Sequence, residues 1–167
     1  MYSLEKNNFI IMKNKICTCL LIIATVLLTS CSTSKNATNL TPTNGHLAGT
    51  WTLSDIRVNV PPGFQITNVF DQAPYSDFKG STWDLIRNGK GSFTLLNGTK
   101  EEIYWSIYGK GDNAQFQFKK LNGQKAKNVE EGYRLQLGPI TNTSFTAKSI
   151  ISTADSTGSI TYTFSKK

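Results

Sequence analysis

Gln115-Phe116-Gln117-Phe118-Lys119 sets a phenylalanine at alternate positions and a polar residue between them. A helix would turn those two rings well apart around its axis. A pleated strand sends both to one face and the glutamines to the other. The same period-two pattern recurs on either side. Upstream lie Gly49-Thr50-Trp51-Thr52-Leu53, Ser81-Thr82-Trp83-Asp84-Leu85, Ser92-Phe93-Thr94-Leu95 and Glu102-Ile103-Tyr104-Trp105-Ser106-Ile107. Downstream lie Tyr133-Arg134-Leu135-Gln136-Leu137, Ser144-Phe145-Thr146-Ala147-Lys148 and Ser159-Ile160-Thr161-Tyr162-Thr163-Phe164. That makes an all-β domain of eight strands, each with one apolar face.

The links between strands are short. Asn88-Gly89, Asn97-Gly98 and Asn122-Gly123 are hairpin dipeptides, since both residues tolerate positive φ. Asp155-Ser156-Thr157-Gly158 reads as a further turn. Short links join neighbouring antiparallel strands. Eight in succession predict a closed antiparallel up-and-down barrel, which removes exposed edges. A two-sheet β-sandwich is the alternative that the pattern leaves open. The register aims Trp51, Leu53, Trp83, Leu85, Phe93 and Leu95 inward in the first three strands. Trp105, Phe116, Phe118, Tyr133, Tyr162 and Phe164 follow in later ones. The first link is longer. Pro61-Pro62-Gly63 stops the first strand, and residues 71–79, with Pro74, predict a short helical turn lying over one mouth of the barrel.

Before this domain the composition changes twice. Met12-Lys13-Asn14-Lys15 is a basic head and residues 16–28 carry no charge. That apolar run is shorter than the about 20 residues a spanning helix needs, and it reads as a secretory signal over residues 1–30, with Met12 the better start. Leu28-Thr29-Ser30-Cys31 resembles the bacterial lipobox. The resemblance implies that Cys31 is lipidated and becomes the mature N-terminus, with the membrane as a partner through its lipid. Cys17 and Cys19 fall inside the signal, so no thiol remains for a disulfide or a cysteine metal site. Residues 31–47 are rich in Ser, Thr and Asn and read as the lipidated cysteine with a flexible tether. His46, the single histidine, reads as a tether residue. The domain proper is expected over 48–167.

Leu47-Ala48-Gly49-Thr50-Trp51-Thr52-Leu53 looks like the Gly-x-Trp opening of lipocalins. Together with Gly80-Ser81-Thr82-Trp83, Gly132-Tyr133-Arg134-Leu135 and the lipoprotein signal, it resembles the lipocalin-like lipoproteins of the Bacteroidetes. The resemblance spans nearly the whole mature domain. It implies the barrel. Ser32 follows Cys31 where an aspartate would resemble an inner-membrane retention signal, and no acidic cluster like that of surface-exported lipoproteins of the Bacteroidetes follows, so the expected place in the cell envelope is the periplasmic leaflet of the outer membrane. Asp155-Ser156-Thr157 resembles the sequence that these bacteria modify with O-glycans, which would place a sugar on Ser156.

Chemistry-bearing constellations are sparse. A Ser-His-Asp arrangement would have to borrow His46. Glu101-Glu102 and Glu130-Glu131 are adjacent pairs, and strand neighbours point to opposite faces. Gly109-Lys110-Gly111 lacks the remainder of a phosphate loop. Asp71, Asp77 and Asp84 have no cation-loop spacing. An enzyme, a metal and a cofactor are therefore not expected. Of the 18 basic and 11 acidic residues, Lys6, Lys13, Lys15 and Glu5 fall in the leader, which leaves a mature charge of +5. Basic residues are not clustered with interleaved aromatics, so nucleic acid is not an expected partner.

Two readings of function remain. In one, the barrel carries an apolar small molecule beneath the 71–79 excursion, lined by Trp51, Trp83 and Tyr133. In the other, the barrel is filled and an envelope protein or other partner meets its outside. There, Tyr104 and Tyr108 point outward, and Lys119, Lys120, Lys125, Lys127 and Arg134 gather round a hairpin.

Overall fold

The computed structural model describes residues 38–152 and 156–167. The leader, Cys31, the tether up to residue 37, and Asp155 lie outside the described residues. Eight strands follow in order: β1 (Gly49–Asn59), β2 (Thr82–Leu85), β3 (Lys90–Thr94), β4 (Lys100–Tyr108), β5 (Gln115–Lys120), β6 (Tyr133–Ile140), β7 (Ser144–Ser152) and β8 (Thr157–Lys166). Each pairs antiparallel with the next, and β8 pairs back onto β1, so the sheet is a closed up-and-down barrel. Closure through Trp51↔Lys166 to Asn59↔Ser159 sets aside the sandwich.

β1 serves two neighbours in turn. Its first residues pair with β2, and its length from Trp51 onward pairs with β8. The register slips between Leu53 and Asp55, where Ser54 is the extra residue. Such a bulge bends a strand and sharpens its twist. The Ser54 hydroxyl donates to the Thr163 carbonyl at 3.0 Å, which ties the bulge to β8.

The period-two reading of the core holds. Trp51, Leu53, Trp83, Phe93, Trp105, Phe116, Phe118, Phe145, Tyr162 and Phe164 are buried, whereas Tyr133, Ile107 and Leu137 are half-buried. The three Asn-Gly turns differ. At Asn122-Gly123 both residues have positive φ, 47° and 75°, as in a type I′ turn, but this turn opens the longer connection over residues 121–132 and is not the hairpin loop expected there. At the other two only the glycine has positive φ, at 92° for Gly89 and 85° for Gly98. The asparagine there works through its side chain instead. Asn88 Oδ1 accepts from the Lys90 amide and Asn97 Oδ1 from the Thr99 amide.

The folded unit begins earlier than composition implies. Residues 39–47 read as the end of the tether, yet they close the barrel end where β1 starts. A short helix α1 (Asn44–Leu47) is capped by Thr43, whose hydroxyl accepts from the His46 amide at 3.2 Å. Leu47 is 0% exposed, and its carbonyl accepts from Trp51 Nε1 at 2.8 Å. Asn44 Oδ1 accepts from the Ile107 amide, and the Leu40 amide donates to the Ile140 carbonyl. Leu40 and Leu47 are the segment's two leucines. An open barrel end gives them apolar surface that a tether in water lacks. His46 serves this segment too, with Nδ1 2.6 Å from the Thr41 carbonyl.

The excursion between β1 and β2 covers the opposite mouth. Its helical turn is α2 (Tyr75–Phe78), within the span expected. Lys79 closes the excursion with an ion pair to Asp55 on β1 at 3.0 Å, and this pair, followed by Arg57, holds the Asp55 carboxyl below its ordinary value.

Candidate functional site: a plugged mouth and an outer groove

Val69 and Phe70 are an apolar pair in a polar stretch. They enter the barrel through a turn in which the Gln72 amide donates to the Val69 carbonyl at 3.1 Å. The two central residues, Phe70 and Asp71, have φ of 53° and 47°. Left-handed backbone of this kind costs about 1–3 kcal/mol per residue and persists only where the surroundings over-determine it. Here they do. The Phe70 ring meets Phe118 at 5.0 Å, Tyr162 at 5.1 Å, Tyr133 at 5.2 Å and Phe78 at 5.4 Å between centroids.

Backbone oxygens of the turn are held as firmly. Lys120 Nζ donates to the carbonyls of Phe70 at 2.9 Å and Asp71 at 3.2 Å, and to Gln72 Oε1 at 3.1 Å. The Tyr133 hydroxyl donates to the Phe70 carbonyl at 2.7 Å and approaches Asp71 Oδ2 at 3.0 Å. Burial, then the neighbouring Asp71 carboxylate, pushes the Tyr133 phenol well above its ordinary value. Deeper in, Tyr162 is pushed up to about 12 by burial, opposed in part by a hydrogen bond from Ser149.

Of the three expected lining residues, Trp83 and Tyr133 both pack on Phe70, at 6.2 and 5.2 Å between centroids, and Trp51 does not join them. Trp51 is at the α1 end, buried against Leu47 and Phe145. Trp83 is its cross-strand partner and lies mid-core, its ring within 6.5 Å of Phe93, Phe116, Phe118 and Phe164. Its indole N–H donates to the buried Ser81 hydroxyl at 3.0 Å. Tyr133, which opens β6, belongs to the mouth beneath the excursion, and Trp83 meets the same Phe70 ring from mid-core. Alternating strand directions put the start of β1 and the start of β6 at opposite ends. Lys120, expected with the outer basic group, turns inward because it follows the outward Lys119 by one residue. Phe70 carries no signal in the sequence beyond its polar surroundings, and Phe-Asp is not a turn dipeptide.

Outside the barrel, β4, β5 and β6 form a groove of about 800 Å³ with the β5–β6 connection as its wall. Tyr104, Ser106, Gln117, Lys119 and Arg134 face it. Lys119 Nζ donates to the Val129 carbonyl at 2.6 Å, which ties wall to sheet. Ser156 sits half-buried just before β8. Among the described residues, no three His, Cys, Asp or Glu side chains gather as a metal would require. No helix among them is long and apolar enough to cross a membrane.

Comparison with known proteins finds no family model, no curated protein and no solved structure that matches this chain.

Proposed function

We propose that this protein is a lipocalin-like envelope lipoprotein, held by lipid on Cys31 at the periplasmic face of the outer membrane, and that it works as a non-enzymatic binding module through its outer surface. One observation carries the choice of surface over interior. Aromatic rings contributed by all eight strands and by the excursion pack against one another across the barrel, and Phe70 occupies the mouth.

The plugged mouth also favours a second reading. Phe70 stands where an apolar ligand would sit, and its turn is strained, so an apolar molecule that displaced it would relieve left-handed backbone. Extraction of the purified protein with organic solvent, followed by fatty-acid titration with tryptophan fluorescence, separates the two. An empty extract and no saturable change support the outer-surface module. A co-purified lipid and a saturable change support the carrier.

The anchor has its own test. Cys31→Ala is expected to abolish acyl attachment, and acylated material recovered from that variant would refute the lipobox reading. Peptide mapping of native protein with Ser156 unmodified would remove the O-glycan.

A further inference from the structure

We infer that the groove on β4, β5 and β6 is a binding site for an acidic oligosaccharide, an inference that rests on the outer-surface reading above and specifies its ligand. The register lays Ser106, Gln117 and Arg134 in one line across three strands, with Tyr104 opposite Lys119 in the adjacent row. Gln117 Nε2 donates to Ser106 Oγ at 2.7 Å, which fixes the amide in the centre of the groove. An amide and a hydroxyl offer donors and acceptors together, as paired sugar hydroxyls require.

An aromatic platform stands beside them. Tyr104 is 40% exposed, and its ring lies where a side chain on Gly89 would be, 2.8 Å from an ideal Cβ. That glycine lets the ring lean on the β2–β3 turn. Sugars present C–H faces that pack on such rings while their hydroxyls point to the rim.

Charge selects the acidic kind. Lys119, Lys127 and Arg134 line the groove against Glu130 alone. The Arg134 guanidinium is stacked 5.0 Å over the Tyr108 ring. Stacking uses the guanidinium face and leaves its N–H edge for a carboxylate or sulfate, in the planar geometry that suits arginine.

Size and topology argue against a polypeptide. The volume lies within the about 300–1,000 Å³ of small-ligand sites. Peptides commonly bind by extending a sheet edge, and the closed barrel has none.

The test uses the mature lipoprotein in detergent and isothermal titration calorimetry. The probes are tetragalacturonate and a tetrasaccharide of alternating glucuronate and N-acetylglucosamine, with maltotetraose, tetraglutamate and a short oligothymidylate as comparisons. The expected result is saturable binding of at least one acidic tetrasaccharide, at least tenfold tighter than maltotetraose. Tyr104→Ala and Arg134→Ala should each weaken it tenfold or more, with thermal unfolding unchanged. Loss of both acidic tetrasaccharides from the binding set, equal binding of maltotetraose, tighter binding of tetraglutamate or oligothymidylate, or insensitivity to both variants would overturn the inference. The fatty-acid titration is read separately, so a saccharide failure with an empty barrel interior overturns this inference and leaves the outer-surface module standing.

Discussion

The Tyr133 hydroxyl lies 2.7 Å from the Phe70 carbonyl, bridging 63 positions of sequence to hold a left-handed turn in the barrel mouth. A neutral phenol makes this bond and an ionised one cannot. Tyr133→Phe removes it and leaves the carbonyl with Lys120. The expected loss is about 1–2 kcal/mol in urea unfolding, in line with a partly buried hydrogen bond. A wild-type midpoint in Tyr133→Phe would show that Lys120 and the Phe70 ring hold the turn unaided.

Alkaline pH probes the same end of the barrel. Tyr162 is pushed up to about 12 by burial, against an ordinary phenol value of about 10 in the unfolded chain. A raised folded value means that the native state keeps the proton longer. Its contribution is complete below pH of about 10 and is lost as pH rises toward about 12. Two units correspond to on the order of 2–3 kcal/mol. Denaturant midpoints between pH 9 and 12 should fall more steeply for wild type than for Tyr162→Phe. Parallel slopes would contradict the assignment.

Trp83 tests the core. It sits among rings of Phe70, Phe93, Phe118 and Phe164. Trp83→Ala should cost about 3–5 kcal/mol, a large share of a typical total of about 5–15 kcal/mol. Thr82→Ala, one residue away on the other face, should stay within about 1 kcal/mol. Equal midpoint shifts for the two variants would mean that the register is wrong.

The α1 segment gives the fourth prediction. Leu47→Ala should destabilise by about 2–5 kcal/mol, the behaviour of a core residue and not of a tether. A chain begun at residue 48 should unfold at lower denaturant than one begun at residue 38, since Trp51 Nε1 loses its acceptor. Coincident unfolding curves would return residues 39–47 to the tether.

Strand number and the inward face of each strand were legible in the sequence, because alternation along a pleat is a local property, whereas closure over a sandwich was decided by the pairing of β8 with β1. Gln115-Phe116-Gln117-Phe118 must turn both rings one way wherever it lies. What packs into the ends of the barrel is not local. Leu47 is buried because Trp51 and the barrel end accept it, and the composition around it matches that of a linker. Phe70 is inward because Lys120 and Tyr133, 50 and 63 positions away, hold its carbonyl. Neither a Phe-Asp dipeptide nor its neighbours announce a left-handed turn, since the energy that sustains it comes from distant side chains. For the same reason Trp51, Trp83 and Tyr133 are each legible as large inward residues near strand ends, but that Trp83 and Tyr133 meet Phe70 while Trp51 packs on Leu47 is not. Alternation assigns a face. Only the closed sheet, with its alternating strand directions and covered mouths, assigns an end.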